Sequence, residues 1–335
     1  LQQSNIRSKD RKAKPSTSEW LELRKSRRSW KHVKGALAAR LGGILLRGLA
    51  RIAGRLSRRQ AEQLGRVLAR VLFLFTPYRR GIAWRNLCFA FREKDVAELR
   101  RILWECYENF GRCLVEFLRL PKLRKEGEIH ELVSLEGEEH LRRALARGRG
   151  VVLLTAHYGN WEMVGAKLAA CGYPLNVLAR QQRDAVTTRL VDGIRQSCGM
   201  RVLAARNGDS RVILACLRRG EIVGFLADQN AGRRGIFVDF FGRAASTFAG
   251  AALFALRTKA AVVPVFGLRN RDNTHTARLL PEVELIQTGS VRRDVEANTA
   301  AFTRLIEHQI RSRPGLWFWL HDRWRTSSGG KRGQE

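Results

Sequence analysis

The segment Thr155-Ala156-His157-Tyr158-Gly159-Asn160-Trp161-Glu162 brings together an imidazole and a carboxylate, the two groups general base chemistry uses most. It follows a short apolar run, Val151–Thr155, and opens a helical pattern. Asn160 is a good helix N-cap, which places Glu162 in the first turn. His157, in the turn itself, is placed to take a proton from a hydroxyl, with the Glu162 carboxylate orienting its ring. The spacing alone carries little weight. With seven histidines and 31 acidic residues in 335, roughly 0.65 such pairs arise by chance. A first-turn acid also suits the helix dipole without any catalysis.

Two further polar groups follow apolar runs of strand length. Arg180 comes directly after Leu175–Ala179, and Asp228-Gln229-Asn230 directly after Ile222–Ala227. In an open parallel sheet, residues just beyond the carboxyl ends of strands meet in one crevice. His157, Arg180 and Asp228 are therefore expected to converge, the plainer readings being a surface arginine and a polar turn. The next stretch has Arg233 and Arg234 for an anion, Gly232, Gly235 and Gly242 for tight turns, and Thr247. Its Phe237, Phe240 and Phe241 either wall an acyl site or plug the core. Near the end, Trp317 and Trp319 alternate as on an extended edge. His321 reads as a hydrogen-bonded core histidine.

The elements that must position these groups follow from periodicity. Strands are predicted over Val151–Thr155, Leu175–Ala179, Arg201–Ala204, Ile222–Ala227 and Val262–Phe266. Helices are predicted over Glu138–Ala146, Trp161–Ala170, Asp184–Cys198, Ser210–Arg218, Ala249–Arg257 and Val295–Ser312. This alternation argues an α/β fold with a mostly parallel sheet flanked by helices. Upstream, Gln60–Phe75 and Lys94–Leu118 read as helices, the second ending before Pro121.

Composition narrows the partners. The chain has 62 Lys and Arg against 31 Asp and Glu, a net charge of +31, and 44% hydrophobic residues. That much apolar content excludes a disordered polycation. The charge asks for an anionic partner, whether nucleic acid, acidic protein or anionic membrane. Residues 1–80 hold 21 of the cations and only four acids, so the excess is concentrated at the N-terminal end. Residues 1–34 read as a basic disordered tail. Residues 35–59 read as an amphipathic helix, with Leu37, Leu41, Leu45, Ile52 and Leu56 on one face and Arg40, Arg47, Arg51, Arg55 and Arg58 on the other. Such a helix suits the surface of an anionic membrane. No run is long and apolar enough to span one. The domain is expected over 60–325 and a disordered tail over 326–335. The six cysteines show no metal spacing and read as reduced, mostly buried thiols.

Taken in order, five blocks resemble one family. They are His157-Tyr-Gly-Asn-Trp-Glu162, Ala227-Asp-Gln-Asn-Ala-Gly-Arg-Arg-Gly-Ile-Phe-Val238, Phe240-Phe-Gly-Arg-x-Ala-x-Thr247, Ala261-Val-Val-Pro264 and Trp317-x-Trp-x-His-x-Arg-Trp324. The family is the late acyltransferases of lipid A biosynthesis, the lauroyl and myristoyl transferases, and the likeness covers about residues 40–325. The resemblance implies a glycerol-phosphate-acyltransferase-like fold, an acyl thioester donor (acyl carrier protein or CoA), and no metal or other cofactor. It implies a lipid A precursor hydroxyl as acceptor and a place at the cytoplasmic face of the inner membrane, peripheral or monotopic. Carried over, His157 is the general base and Glu162 its partner. Gly159, Asn160, Arg180, Asp228, Gln229, Asn230, Arg233, Gly235 and Thr247 are substrate-binding candidates, with backbone N–H groups near Gly159 and Asn160 facing the oxyanion. A related branch acylates phosphatidylinositol mannosides from acyl-CoA, so that acceptor stays open. A nucleic-acid-binding protein is the reading from another class, and it lacks any zinc-finger, RNA-recognition or basic-zipper signature. A non-catalytic lipid carrier on the same fold is the third.

Overall fold

The computed structural model describes residues 42–179, 185–204 and 210–327. The basic tail over 1–34, the start of the 35–59 segment, Arg180 and the chain beyond 327 lie outside the described residues.

Helices lead. They are α1 (42–55), α2 (Arg58–Phe75), α3 (Pro77–Ala90) and α4 (Val96–Lys125). A capping box starts α2: Gln60 N–H donates to Ser57 Oγ at 3.3 Å, and Ser57 N–H to Gln60 Oε1 at 2.9 Å. Pro77 stops α2 and, at the first position of α3, loses no hydrogen bond. Asp95 caps α4 by accepting from Glu98 N–H at 2.7 Å. The expected end of this helix before Pro121 is corrected, because α4 runs on to Lys125 with Pro121 inside it. An interior proline costs about 3 kcal/mol. Leu118, Leu120 and Leu123 are all buried around it, and each contributes about 1.5–3 kcal/mol, which outweighs that cost. Helices α2 and α4 cross closely. A Cβ on Gly111 would lie 2.5 Å from Gly65 O, so only glycine fits there.

The chain then alternates through α5 (Ile129–Leu132), β1 (Val133–Glu136), α6 (Glu138–Leu145), β2 (Val151–Thr155), α7 (Trp161–Ala170), β3 (Leu175–Ala179), α8 (Ala185–Ser197), β4 (Arg201–Ala204), α9 (Ser210–Arg218) and β5 (Ile222–Leu226). There follow β6 (Ile236–Phe240), β7 (Arg243–Thr247), α10 (Gly250–Thr258), β8 (Ala261–Arg269), β9 (His275–Leu279) and α11 (Val291–Ser312). Seven strands form one sheet in the order β1-β9-β8-β2-β5-β3-β4. From β8 to β4 it is parallel, β9 runs antiparallel to β8, and β1 runs parallel to β9. Alternate residues feed two apolar layers: Val152, Leu154 and Val223 pack on one face, Val151, Leu153 and Ile222 on the other. Burial on both faces is what a parallel sheet demands.

All five predicted strands are present. Three additions were not expected: β1, the antiparallel β9, and the β6–β7 hairpin, which occupies the stretch read as a glycine-rich loop. Phe241 (φ 58°) and Gly242 (φ 74°) form the two-residue turn of that hairpin. Positive φ at both positions gives the twist the strands need. Phe240 and Phe241 are buried against Trp319 and Trp324, so of the two readings of these phenylalanines the core plug holds.

Candidate active site

The register of β2 and β5 builds the site. Thr155 pairs with Leu226 across the two parallel strands, and Ala227 N–H donates to Thr155 O at 3.0 Å. Two residues beyond that pair on each strand stand His157 and Asp228, 71 positions apart in sequence. Adjacent strands lie about 4.8 Å apart, which brings the two side chains into contact. His157 Nδ1 is 2.8 Å from Asp228 Oδ1, and His157 N–H donates to Asp228 Oδ2 at 3.0 Å. Trp317 Nε1–H donates to the same Oδ2 at 2.7 Å. Burial on its own would raise the Asp228 carboxyl. The His157 charge and these hydrogen bonds outweigh it and hold the group at about 2. An ionised Asp228 fixes the tautomer with hydrogen on Nδ1, leaving the Nε2 lone pair free.

The His157 side chain is 22% exposed. Gln229 Nε2 lies 3.3 Å from His157 Nε2. Trp161 meets the imidazole edge-on with ring centres 4.9 Å apart, and Phe318 lies beyond at 6.4 Å. The site therefore has an aromatic wall and a basic nitrogen met by the Gln229 carboxamide.

Glu162 is placed elsewhere. The expected contact with the imidazole is not made: Glu162 turns away from the crevice and takes both ends of the Arg195 guanidinium, with Nε at 3.1 Å and Nη2 at 2.5 Å. The physical reason is its position in the first turn of α7, which the Arg195 guanidinium of α8 reaches. Glu162 ties α7 to α8, and Asp228 holds the histidine.

The turn carrying His157 is braced from behind. Gly159 has φ 58°, and a Cβ there would lie 1.7 Å from Gly267 O, so glycine is required by both conformation and space. Its N–H donates to Leu316 O at 2.9 Å. That hydrogen bond takes it out of the oxyanion role expected of it. Asn160 caps α7 by accepting from Met163 N–H at 3.1 Å, and its amide donates to Glu116 Oε2 at 2.6 Å. Glu116 is in turn gripped by Arg269 at 2.6 and 2.7 Å. Asn109 and Cys113 of α4 both donate to Gly159 O, at 3.2 and 3.1 Å. Burial pushes the Cys113 thiol up to about 12, so it braces the turn as a donor and is no nucleophile.

The other candidates separate. Gln229 lies at the imidazole. Asn230 is spent internally: its N–H donates to His321 Nε2 at 3.0 Å, its amide donates to Arg323 O at 3.0 Å, and its Oδ1 accepts from Gly232 N–H at 2.8 Å. Burial pushes His321 down to about 4, which keeps it a neutral acceptor, the core role expected of it. Thr247 is buried and accepts from Arg323 at 2.5 Å. Gly235 leaves room for Ser246, whose Oγ would lie 2.2 Å from a Cβ. Arg233 sits exposed in a short turn ahead of β6. None of these four reaches His157. Sequence reading missed Trp317 as a partner of Asp228, although its alternation with Trp319 marked an extended segment. It also missed Arg195, Glu116 and Arg269, for which no local pattern gave a sign.

Of the six cysteines, Cys106, Cys113, Cys198 and Cys216 are buried, and Cys88 and Cys171 exposed. Among the described residues, no three His, Cys, Asp or Glu side chains gather in a metal-binding arrangement.

A parallel α/β sheet thus carries an imidazole–carboxylate pair at adjacent strand ends, with Gln229 and an aromatic wall at the imidazole, a set of groups chemically able to deprotonate a hydroxyl. Comparison with known proteins adds the class. Residues 27–326 match the model of the bacterial lipid A biosynthesis acyltransferases, and the chain belongs to that family. It is 26% identical to a lipid A biosynthesis palmitoleoyltransferase of Escherichia coli K12 over 77% of its own length and 82% of the relative's. It is 26% identical to the lauroyltransferase of the same organism over 80% and 86%. It is also 31% identical to a phosphatidylinositol mannoside acyltransferase of Mycolicibacterium smegmatis, over 64% and 70%. The protein is an acyltransferase of the lipid A late type, and both kinds of relative have glycolipid acceptors.

Proposed function

We propose that the protein moves a fatty acyl group from an acyl thioester to a hydroxyl of a lipid A precursor at an anionic membrane surface, with His157 as general base and Asp228 as the carboxylate that orients it. One observation carries the reading: His157 Nδ1 lies 2.8 Å from Asp228 Oδ1, and an ionised carboxylate there accepts the Nδ1 hydrogen, which leaves Nε2 as the base. The acceptor hydroxyl displaces the Gln229 amide from Nε2 and gives up its proton there. The alkoxide oxygen attacks the thioester carbonyl and forms the new C–O bond. Collapse of the tetrahedral intermediate breaks the C–S bond, and the imidazolium returns the proton to the departing thiolate. Asp228, already ionised, stabilises the imidazolium while it exists. No covalent enzyme intermediate is required.

The donor is acyl carrier protein or CoA, the first favoured by the basic surface, which steers an acidic carrier. The enzyme lies peripherally or monotopically on the cytoplasmic face of the inner membrane. Among the described residues no helix is long and apolar enough to cross a membrane. A second acceptor, a phosphatidylinositol mannoside, is favoured by the 31% identity to that relative.

Release of free thiol from an acyl thioester, followed with purified protein and a Kdo-lipid A precursor, tests the reading. Turnover should require the acceptor and fall by about 10²–10⁴ in His157→Ala. Undiminished turnover would overturn the mechanism. Turnover only with an inositol mannoside would replace the acceptor and keep the mechanism.

A further inference from the structure

We propose that the corner between α2 and α3 is a membrane-docking surface, with the apolar stripe Val67, Val71, Leu74, Phe75 and Tyr78 entering the interfacial layer of an anionic phospholipid bilayer. This surface is separate from the α1 segment that the sequence marked as membrane-seeking. It deepens the functional reading and rests on it only for the acceptor being a membrane glycolipid.

The stripe arises because α2 is apolar on two sides. Its inward face is made of small residues, Ala61, Gly65 and Ala69, which let α4 approach closely. The larger apolar residues at spacing i, i+4, i+7 and i+8 are then left uncovered among the described residues. Leu74 is 64% exposed, Phe75 78% and, at the start of α3, Tyr78 75%, with Val67 and Val71 behind them. An aligned apolar stripe on one helix and its corner is not the scattered exposure that any surface shows.

Charge selects the occupant. Residues 63–92 contain Arg66, Arg70, Arg79, Arg80, Arg85 and Arg92 and no Asp or Glu. Arg70 makes no ion pair among the described residues, whereas Arg66 reaches back to Glu62 and Arg85 to Asp322. Apolar side chains rimmed by arginine fit lipid tails beneath anionic headgroups. A second copy of this face would bring arginine against arginine. Residues 1–41 hold 12 Lys and Arg against three acids, so they too are repelled by this rim.

The corner is also coupled to the site. Asn86 of α3 donates to Trp319 O at 2.9 Å and to His321 O at 2.8 Å. The segment so held presents Trp317 to Asp228 and Phe318 to His157.

Co-sedimentation of the full chain with vesicles decides it. Two preparations serve, phosphatidylethanolamine mixed with phosphatidylglycerol, and phosphatidylcholine alone. The L74D/F75D double variant should lose at least about tenfold in partitioning to the mixed vesicles, with its thermal melting unchanged because both side chains are exposed. R70Q/R79Q should lose the preference for anionic over neutral vesicles and keep the rest. Turnover of L74D/F75D on a detergent-dispersed acceptor should match wild type. Unchanged partitioning of L74D/F75D would overturn the proposal, and so would its conversion of a dimer to a monomer with vesicle binding intact. If the wild-type protein transfers no acyl group in detergent, the functional reading fails and the vesicle result judges the docking surface by itself.

Discussion

The turn after β2 and the stretch from Asn230 to Thr247 look alike in sequence. Both are rich in glycine, polar groups and aromatics, and both belong to the blocks that mark the family. They end in opposite states. In the second, the buried polar groups are consumed: Asn230 by His321, Arg323 and Gly232, and Thr247 by Arg323 and Ala245. In the first, His157 is held through Nδ1 and its backbone N–H by an Asp228 that three donors saturate, while its Nε2 meets only the Gln229 amide at 3.3 Å on a side chain 22% exposed. A reactive group is one that its own network orients but does not use up. The hairpin stretch is built with the same chemistry and spends its buried polar groups on holding the body together.

The largest effect should fall on activity. His157→Ala takes the ring partner from the buried Asp228, so it should cost up to about 2 kcal/mol of stability, while turnover drops by about 10²–10⁴. A stability loss well beyond that would erase the contrast between the two regions. Arg323→Ala should do the reverse. Arg323 is fully buried, donates to Ser246 O and Thr247 Oγ1, and covers the Phe240 ring. Its removal strips Ser246 O and Thr247 Oγ1 of their donor and opens a void beside Phe240, and should cost about 2–4 kcal/mol by chemical denaturation, with turnover per folded molecule largely kept.

A smaller effect should appear in acid. The folded Asp228 carboxyl, at about 2, lies below its ordinary 3.8, so it adds stability of about 2 kcal/mol. That contribution is complete above about pH 4 and is lost as pH falls through the folded value. In Asp228→Asn this part of the acid destabilisation should vanish, and urea midpoints taken across that range would show it. Glu162→Gln should have the smallest effect. It weakens the tie to Arg195 by about 1–2 kcal/mol and lowers turnover by no more than about tenfold. A loss as deep as that of His157→Ala would return Glu162 to the imidazole.

The strands that matter were legible because Val151–Thr155, Leu175–Ala179 and Ile222–Leu226 are short apolar runs bounded by turn residues. Helix α7 was legible through its cap, Asn160. β9 and β1 were not, because they lie at one end of the sheet with mixed polarity and lack a strong period. The hairpin was hidden by a Phe-Gly turn in which a bulky residue takes positive φ, against its own preference. The end of α4 was misjudged because the penalty for Pro121 is local and visible, while the burial that overrides it is not.

The convergence of His157 with the residues after β5 followed from a topological rule, and the carboxylate that would bind it did not. Sequence proximity pointed to Glu162, five residues away. Two residues so spaced at the mouth of a helix point in different directions, and α8, which supplies Arg195, lies on Glu162's side.

By itself, then, the sequence determined which residues are chemically able, that the body is a parallel α/β sheet and that its N-terminal part is basic and apolar at once. These follow from local hydrophobic periodicity, helix capping and charge. Only the tertiary structure decided which carboxylate serves the imidazole and which apolar face stays uncovered. Both depend on which elements become neighbours: β5 beside β2 in matched register, and small-faced α2 pressed on α4 with its larger side chains turned outward.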